Sequence, residues 1–480
     1  MFGIPSAARP IRLVALAAAI CGAGPMGNAA ETDALSPQQR FAREVYQELL
    51  QINTTASVGD TYQAAQAMAA RLRAAGFPDD DIHVFQTGPK RGDLVARLHG
   101  TGERKPLLLM AHIDVVEAKR EDWTTDPFQL VEKDRYFYGR GTGDDKYMAA
   151  TFITNLIRYK QEHFRPDRDL IVVLETDEEA GDPDKYGIGW LLRNHRDLID
   201  AELALNEGGG VGVKDGKPIY NSIQTSEKVF QSFWLEVHNP GGHSSQPRRD
   251  NAIYDLAAGL ERLSRFDFPV QLNDTTRLYF EKLSRIEPGQ DAADMRAVLA
   301  DSPEPGALAR LSAKAPYNAQ LRTTCVATRL QGGHADNALP QVARALINCR
   351  MLPGHSSEEI QRTLVNILAD DKISVTADEP ARPSPPSPLN PQLLQAVEKL
   401  TAKYWPGATV LPIMSTGASD SLFLRNAGIA AYGNSGLASD IFDVRAHGKD
   451  ERVGVKAFFT GQEYLYELVK QLSGGRQGGG

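Results

Sequence analysis

The stretch IVVLETDEEAG, residues 171–181, runs from an apolar strand into four carboxylates: Glu175, Asp177, Glu178 and Glu179. Two carboxylates about 5 Å apart repel by roughly 3 kcal/mol at an effective dielectric near 20. Gathering them at the end of a core strand calls for a cation, or for a proton that has to be moved. Related residue types recur at other strand ends, as His112 and Asp114 in MAHIDVV, Asp144 and Asp145 in YGRGTGDDK, Glu207 in LALNEGGG and His447 in VRAHGKDERV. In His112-x-Asp114, the two-residue period of a strand puts both side chains on one face. There Asp114 can accept the second ring N–H of a metal-bound imidazole and fix its tautomer. Taken singly, that pair reads more readily as a satisfied structural contact, and a Glu-Glu as a solvated turn; the case rests on their occurring together.

The elements that must position these residues follow from periodicity. SPQQRFAREVYQELLQINTT and TYQAAQAMAARLRAAGF carry apolar residues at helical spacing, with Ser36-Pro37 as cap and first turn. PLLLMAHIDVV, DLIVVLETDEE and AELALNEGGG read as strands, with KYMAATFITNLIRYKQEH as a helix among them. Strand and helix in this rhythm predict an α/β fold with a mostly parallel sheet, and ligands of such sheets bind beyond the carboxyl ends of the strands. Near residue 225 the texture changes to half-exposed strands and two helices, an α+β unit closed by the Pro-Ser-rich PARPSPPSPLNP. Residues 275–318 read as a polar helical insertion. The expected organisation is a leader (1–30), a catalytic domain in two parts (31–225 and 381–472), an inserted lid (226–380) and a flexible tail (473–480).

Composition narrows the class. At 42% hydrophobic and 24% charged residues, the 480-residue chain is globular, and its net charge of -8 argues against nucleic acid as a partner. Arg9 and Arg12, an apolar run from Leu13 to Ile20 and small residues up to Ala30 form a secretory leader pattern, too short to persist as a membrane span. Cys21 follows Ile20 rather than a small residue, which argues against a lipoprotein site. A secreted or periplasmic protein is expected. Cys325 and Cys349, in two strand-like segments, read as a disulfide that such a compartment permits or as two buried thiols.

Taken together, MAHIDVV, YGRGTGDDK, TDEEAG, NEGGG, NPGGHSSQP, GGHADNALP, STGASD and AHGKDER resemble, in order, the motifs of the dinuclear zinc exopeptidase family of glutamate carboxypeptidase, carnosinase, aminoacylase, succinyl-diaminopimelate desuccinylase and acetylornithine deacetylase. The resemblance implies that Asp144 bridges two metal ions, with His112 and Glu207 completing one site and Glu179 and His447 the other. It implies Glu178 as general base, Asp114 as the partner of His112, and a cis peptide between Asp144 and Asp145. It further implies that His243 stabilises the oxyanion, from the partner subunit in dimeric relatives, that Asn337 and Arg350 bind the substrate's carboxylate or carbonyl oxygen, and that Gly417 and Ser419 shape the pocket. Arg350 pairing within the lid sheet is the plainer alternative. The insertion at 275–318 exceeds a minimal lid of the family; it is free to line the pocket, enlarge a dimer contact or block one.

The chemistry is coherent on its own terms. Asp144, Glu179 and Glu207 offset three of the four positive charges of two divalent cations, and a hydroxide offsets the fourth. Mixed imidazole and carboxylate donors suit two Zn²⁺, with Co²⁺ or Mn²⁺ as alternatives. The expected function is a secreted zinc metallohydrolase, homodimeric through its lid, cleaving a small peptide beside a free carboxylate as a carboxypeptidase or dipeptidase. An N-acyl-amino-acid deacylase is the alternative. A catalytically dead binding protein on the same scaffold is a third reading, disfavoured because all five ligands and Glu178 are present.

Overall fold

Leu107–His112 (β1) and Leu170–Glu175 (β2) are continuous apolar runs whose side chains alternate between two cores. Leu107, Leu109, Leu170 and Val172 face one core; Leu108, Met110, Ile171 and Val173 face the other. Strands buried on both faces need cover above and below, and each such side chain withdrawn from water contributes about 1.5–3 kcal/mol. The helix Lys146–Gln161 lies between β1 and β2 in sequence, and the two strands pair in parallel. β1 also pairs in parallel with Leu203–Asn206 (β3), and β3 with the late strand Ala430–Gly433. These parallel strands form the middle of a ten-stranded sheet with antiparallel pairs towards its rims. The structure, a computed structural model, describes residues 35–179 and 181–474, so the leader and the glycine-rich end of the tail lie outside the described residues. Ser473, counted above with the tail, is the buried last residue of the helix Val455–Ser473.

The chain leaves the large sheet at the end of Lys217–Glu227 (β4). After Lys228 alone it enters Val229–His238 (β5), which joins Thr324–Gly332 (β6), Val342–Met351 (β7) and Ile373–Ala377 (β8) in an antiparallel sheet ordered β6-β7-β5-β8. Helices Ala252–Ser264 and Ser357–Leu368 cover one face, packing Leu256, Leu364 and Leu368 with Phe233, Leu235 and Ile347. Cys325 and Cys349 stand opposite each other on β6 and β7 and form a disulfide, the first of the two readings above.

The insertion packs away from that sheet. Its helices, Asp274–Leu283, Gly289–Ala297, Pro305–Ser312 and Ala315–Leu321, gather Phe280, Met295, Leu311 and Leu321 around Leu411 of Thr409–Ser415 (β9), beside Tyr220 of β4. Gln320 donates to the Met414 carbonyl at 2.9 Å, and Lys282 pairs with Glu398 at 2.8 Å. The segment is sequentially part of the lid and spatially a brace on the catalytic sheet. The Pro-Ser-rich return is likewise anchored: Ser387 exchanges hydrogen bonds with Ala431, and Tyr432 donates to the Pro388 carbonyl.

Candidate active site

His112 ends β1, and its ring is almost wholly enclosed. Two residues on, the Asp114 carboxylate accepts the backbone N–H groups of Glu178 (3.2 Å) and Glu179 (2.9 Å). Asp114 thus pins the turn after β2 that carries both acids. Its link to His112 differs from the expected one: His112 Nδ1 lies 3.1 Å from the Asp114 carbonyl oxygen and 3.6 Å from the carboxylate. The main chain, more than the side chain, orients the ring.

Asp144 sits in the loop before the helix Lys146–Gln161, and its peptide bond to Asp145 is cis. A residue that sequence reasoning missed holds this loop. Buried Glu451 accepts N–H groups of Gly141 (3.1 Å), Gly143 (2.8 Å) and Asp144 (3.3 Å), and pairs with Arg140 at 2.6 Å. Its one signal was position, four residues after His447 in the acid-base run HGKDER.

The donors then converge. Asp144 Oδ1 is 3.1 Å from His112 Nε2, and Oδ2 is 3.2 Å from His447 Nε2. His447, at positive φ, also lies 2.9 Å from Glu179, while His112 lies 3.7 Å from Glu207 Oε2. His112–Asp144–Glu207 and Asp144–Glu179–His447 each bring three ligand atoms within 4.8 Å of one another, as does His112–Glu178–Glu179. Glu207 Oε1 is buried and has no protein partner. Two imidazoles and two glutamates around one shared aspartate, with an orphaned carboxylate oxygen, fit two divalent cations.

The electrostatics of the bare protein describe the same demand. Burial and the nearby Glu207 push the Glu178 carboxyl well up, and burial with Asp144 pushes Glu179 to about 7. His447 is raised to about 9, first by its hydrogen bond to Asp144 and then by Glu179. The Asp144 carboxyl, against the effect of burial, is held low by both histidines. Protons here do the neutralising that cations would do.

The other two acids of the opening stretch have different tasks. Glu175 and Asp420 are buried carboxyls that influence each other, burial being the main force raising both, Asp420 to about 7. Asp177 pairs with Arg91 at 2.7 Å.

Residues assigned to the substrate lie farther out. Ser419 is buried and donates to Glu227 at 2.7 Å, with Gln224 donating to both. Gly417 donates to Ser415 Oγ at 3.1 Å in the same loop. Arg350, on β7, stacks on Phe230 with 4.8 Å to the ring centroid. His243 pairs with Ala338 on a two-stranded ribbon, and Ser244 N–H donates to the carbonyl of Asn337 just before it. His243 and Asn337 are both exposed, and the His243 ring bonds to Ser245, with no hydrogen bond to the candidate metal ligands among the described residues.

Residues 108–471 match the sequence profile of Peptidase family M20/M25/M40. The chain belongs to this family. As a member of the family it is a hydrolase, and the family binds metal ions. The human N-fatty-acyl-amino acid synthase/hydrolase PM20D1 is 30% identical over 76% of this chain and 74% of that protein. A probable carboxypeptidase S-like 2 of Dictyostelium discoideum is 28% identical over 76% and 71%. Among solved structures, an M20 family metallo-carboxypeptidase from Sulfolobus solfataricus shares the fold with a TM-score of 0.67 at 17% identity, covering 90% of this chain and 98% of that one. A dinuclear metal-binding M20 peptidase from Bacillus subtilis matches at 0.57 and 12%, covering 91% and 98%. Among the described residues, no helix is long and apolar enough to cross a membrane.

Proposed function

We propose that this chain is a dinuclear zinc hydrolase of the amide bond that joins an acyl or aminoacyl group to an amino acid with a free carboxylate. The observation that carries the reading is Asp144 with one oxygen toward each of two histidine-carboxylate clusters. His112, Asp144 and Glu207 would hold one zinc ion; Asp144, Glu179 and His447 the other. Zinc bound there supplies Lewis acidity, acidifying water and polarising the amide carbonyl.

The chain's own groups do the rest. Glu178, beside the candidate ligands His112 and Glu179, takes the proton of the attacking water on its carboxylate and delivers it to the departing amine nitrogen. Asp114 fixes that carboxylate's backbone, and Glu451 fixes the loop of Asp144. Arg350 and Asn337 serve the substrate's carboxylate or carbonyl oxygen, above the floor that Gly417 and Ser419 shape.

His243, exposed and unengaged with its own centre, completes the partner's site in a homodimer, where it stabilises the oxyanion. The outer side of β6 is the edge of the lid sheet, and Val326 and Leu330 there are 61% and 69% exposed, with Tyr254 exposed on the helix Ala252–Ser264. An exposed apolar edge strand is a ready template for pairing, which supports a dimer formed there. The Cys325–Cys349 disulfide supports export to a secreted or periplasmic location.

The resemblance to PM20D1 favours N-acyl amino acids; that to the carboxypeptidase S-like protein favours peptides. Zinc-loaded enzyme assayed on N-acetyl and N-fatty-acyl amino acids beside dipeptides will show turnover of the N-acyl series. Turnover of dipeptides alone would shift the function to dipeptidase, and turnover of neither would overturn the reading.

A further inference from the structure

Lys228 is the one residue between β4 and β5, where the chain first crosses from the catalytic sheet to the lid. Its side chain is enclosed, 1% exposed, and no carboxylate lies within ion-pair distance of it among the described residues. Nζ, which can donate three hydrogen bonds, donates one, to Thr324 Oγ1 at 3.3 Å. The adjacent carboxylate is committed elsewhere: Glu227 pairs with Arg425 at 2.7 Å and accepts from Ser419 and Gln224.

A second cation stands close by. Arg350 lies opposite both Phe230 and Thr324 in the lid register, on the sheet face away from the helices. It stacks on Phe230 and, like Lys228, has no carboxylate partner among the described residues. The two cations are near enough that Arg350, after burial itself, depresses the Lys228 pKa, to about 7. Lys228 and Phe230 line a cleft of about 460 Å³ together with Asp182, Pro183, Asp378 and Ala418, the last next in sequence to Ser419. An enclosed ammonium beside a guanidinium, without a counter-ion, is unfavourable until an anion arrives.

We propose that Lys228 is a specificity-determining residue, which with Arg350 receives the free carboxylate of the substrate and so selects acids over their amides. This rests on the amide-hydrolase reading. The Lys228 ammonium offers one charge-assisted hydrogen bond to a carboxylate oxygen, and the Arg350 fork offers the others. Lys228 lies at the crossover, so holding the substrate's acid end also ties together the lid and the catalytic sheet around it.

The test compares wild type, Lys228→Met and Lys228→Arg, zinc-loaded, on the fastest substrate of the panel and on the same molecule with a C-terminal carboxamide. For Lys228→Met, KM for the acid rises at least tenfold, kcat stays within about threefold, and the preference for acid over carboxamide shrinks in proportion. An unchanged KM and preference in folded, metal-replete Lys228→Met would overturn the proposal, as would a loss confined to kcat. Should Lys228→Met not fold, lysine labelled with ¹³C at the ε position in the zinc enzyme decides. One resonance, absent from Lys228→Arg, moves when the product amino acid is added and stays when its carboxamide is added; a resonance indifferent to both overturns the proposal. Wild type inert on every substrate defeats the functional reading instead, a different outcome from active wild type with indifferent Lys228.

Discussion

Of the four carboxylates in IVVLETDEEAG, only Glu178 and Glu179 reach the metal-ligand clusters; Glu175 shares its environment with Asp420, and Asp177 pairs with Arg91. Spacing and strand position made the donors legible, because ligands at a strand's end must come from residues at that end. Glu451 was not legible, since its work is done on a partner distant in sequence, Gly143. His447 and Glu179 in the metal-free protein are raised to about 9 and about 7, above their ordinary values near 6.5 and 4.5. Each therefore contributes stability that is present below its unfolded value and is lost as pH rises through its folded value. Zinc bound at the proposed ligands would displace both protons, so its binding would gain as pH rises. Calorimetry from pH 6 to 8 will show the melting temperature of the metal-free protein falling and the zinc-induced increment growing; an increment independent of pH would contradict the assigned ligands.

The strands and helices of the sheet were readable because apolar runs and helical periodicity state burial directly. The docking of the helices between 274 and 321 was not, because an amphipathic face records that it is covered and not by what. Leu411 and Tyr220, on strands far away in sequence, provide the cover. The β6 edge keeps Val326 and Leu330 exposed, where the proposed dimer contact would form. Leu330→Lys on that edge is expected to convert a dimer into a monomer in sedimentation velocity and to lower turnover at least tenfold, since His243 then lacks a partner site. A variant that sediments as wild type would remove β6 from the interface.

At the scale of the molecule, two crossings join a catalytic sheet to a lid: Lys228 on the way out and the Pro-Ser segment on the way back. The inserted arrangement was visible from the change of texture near residue 225 and the proline run at 380–391. Where the second crossing is anchored was not, because Ser387 finds its partner on the strand Ala430–Gly433. The sheet gathers donors from β1, the turns after β2 and β3 and two loops at one rim, and we propose that this rim is a two-metal hydrolytic centre with Glu178 moving the proton. Metal content and turnover of Glu178→Gln beside wild type test that most directly. The variant should retain about two zinc ions per chain and lose at least a thousandfold in kcat, in line with the loss of a general base. Turnover close to wild type at equal metal content would contradict it.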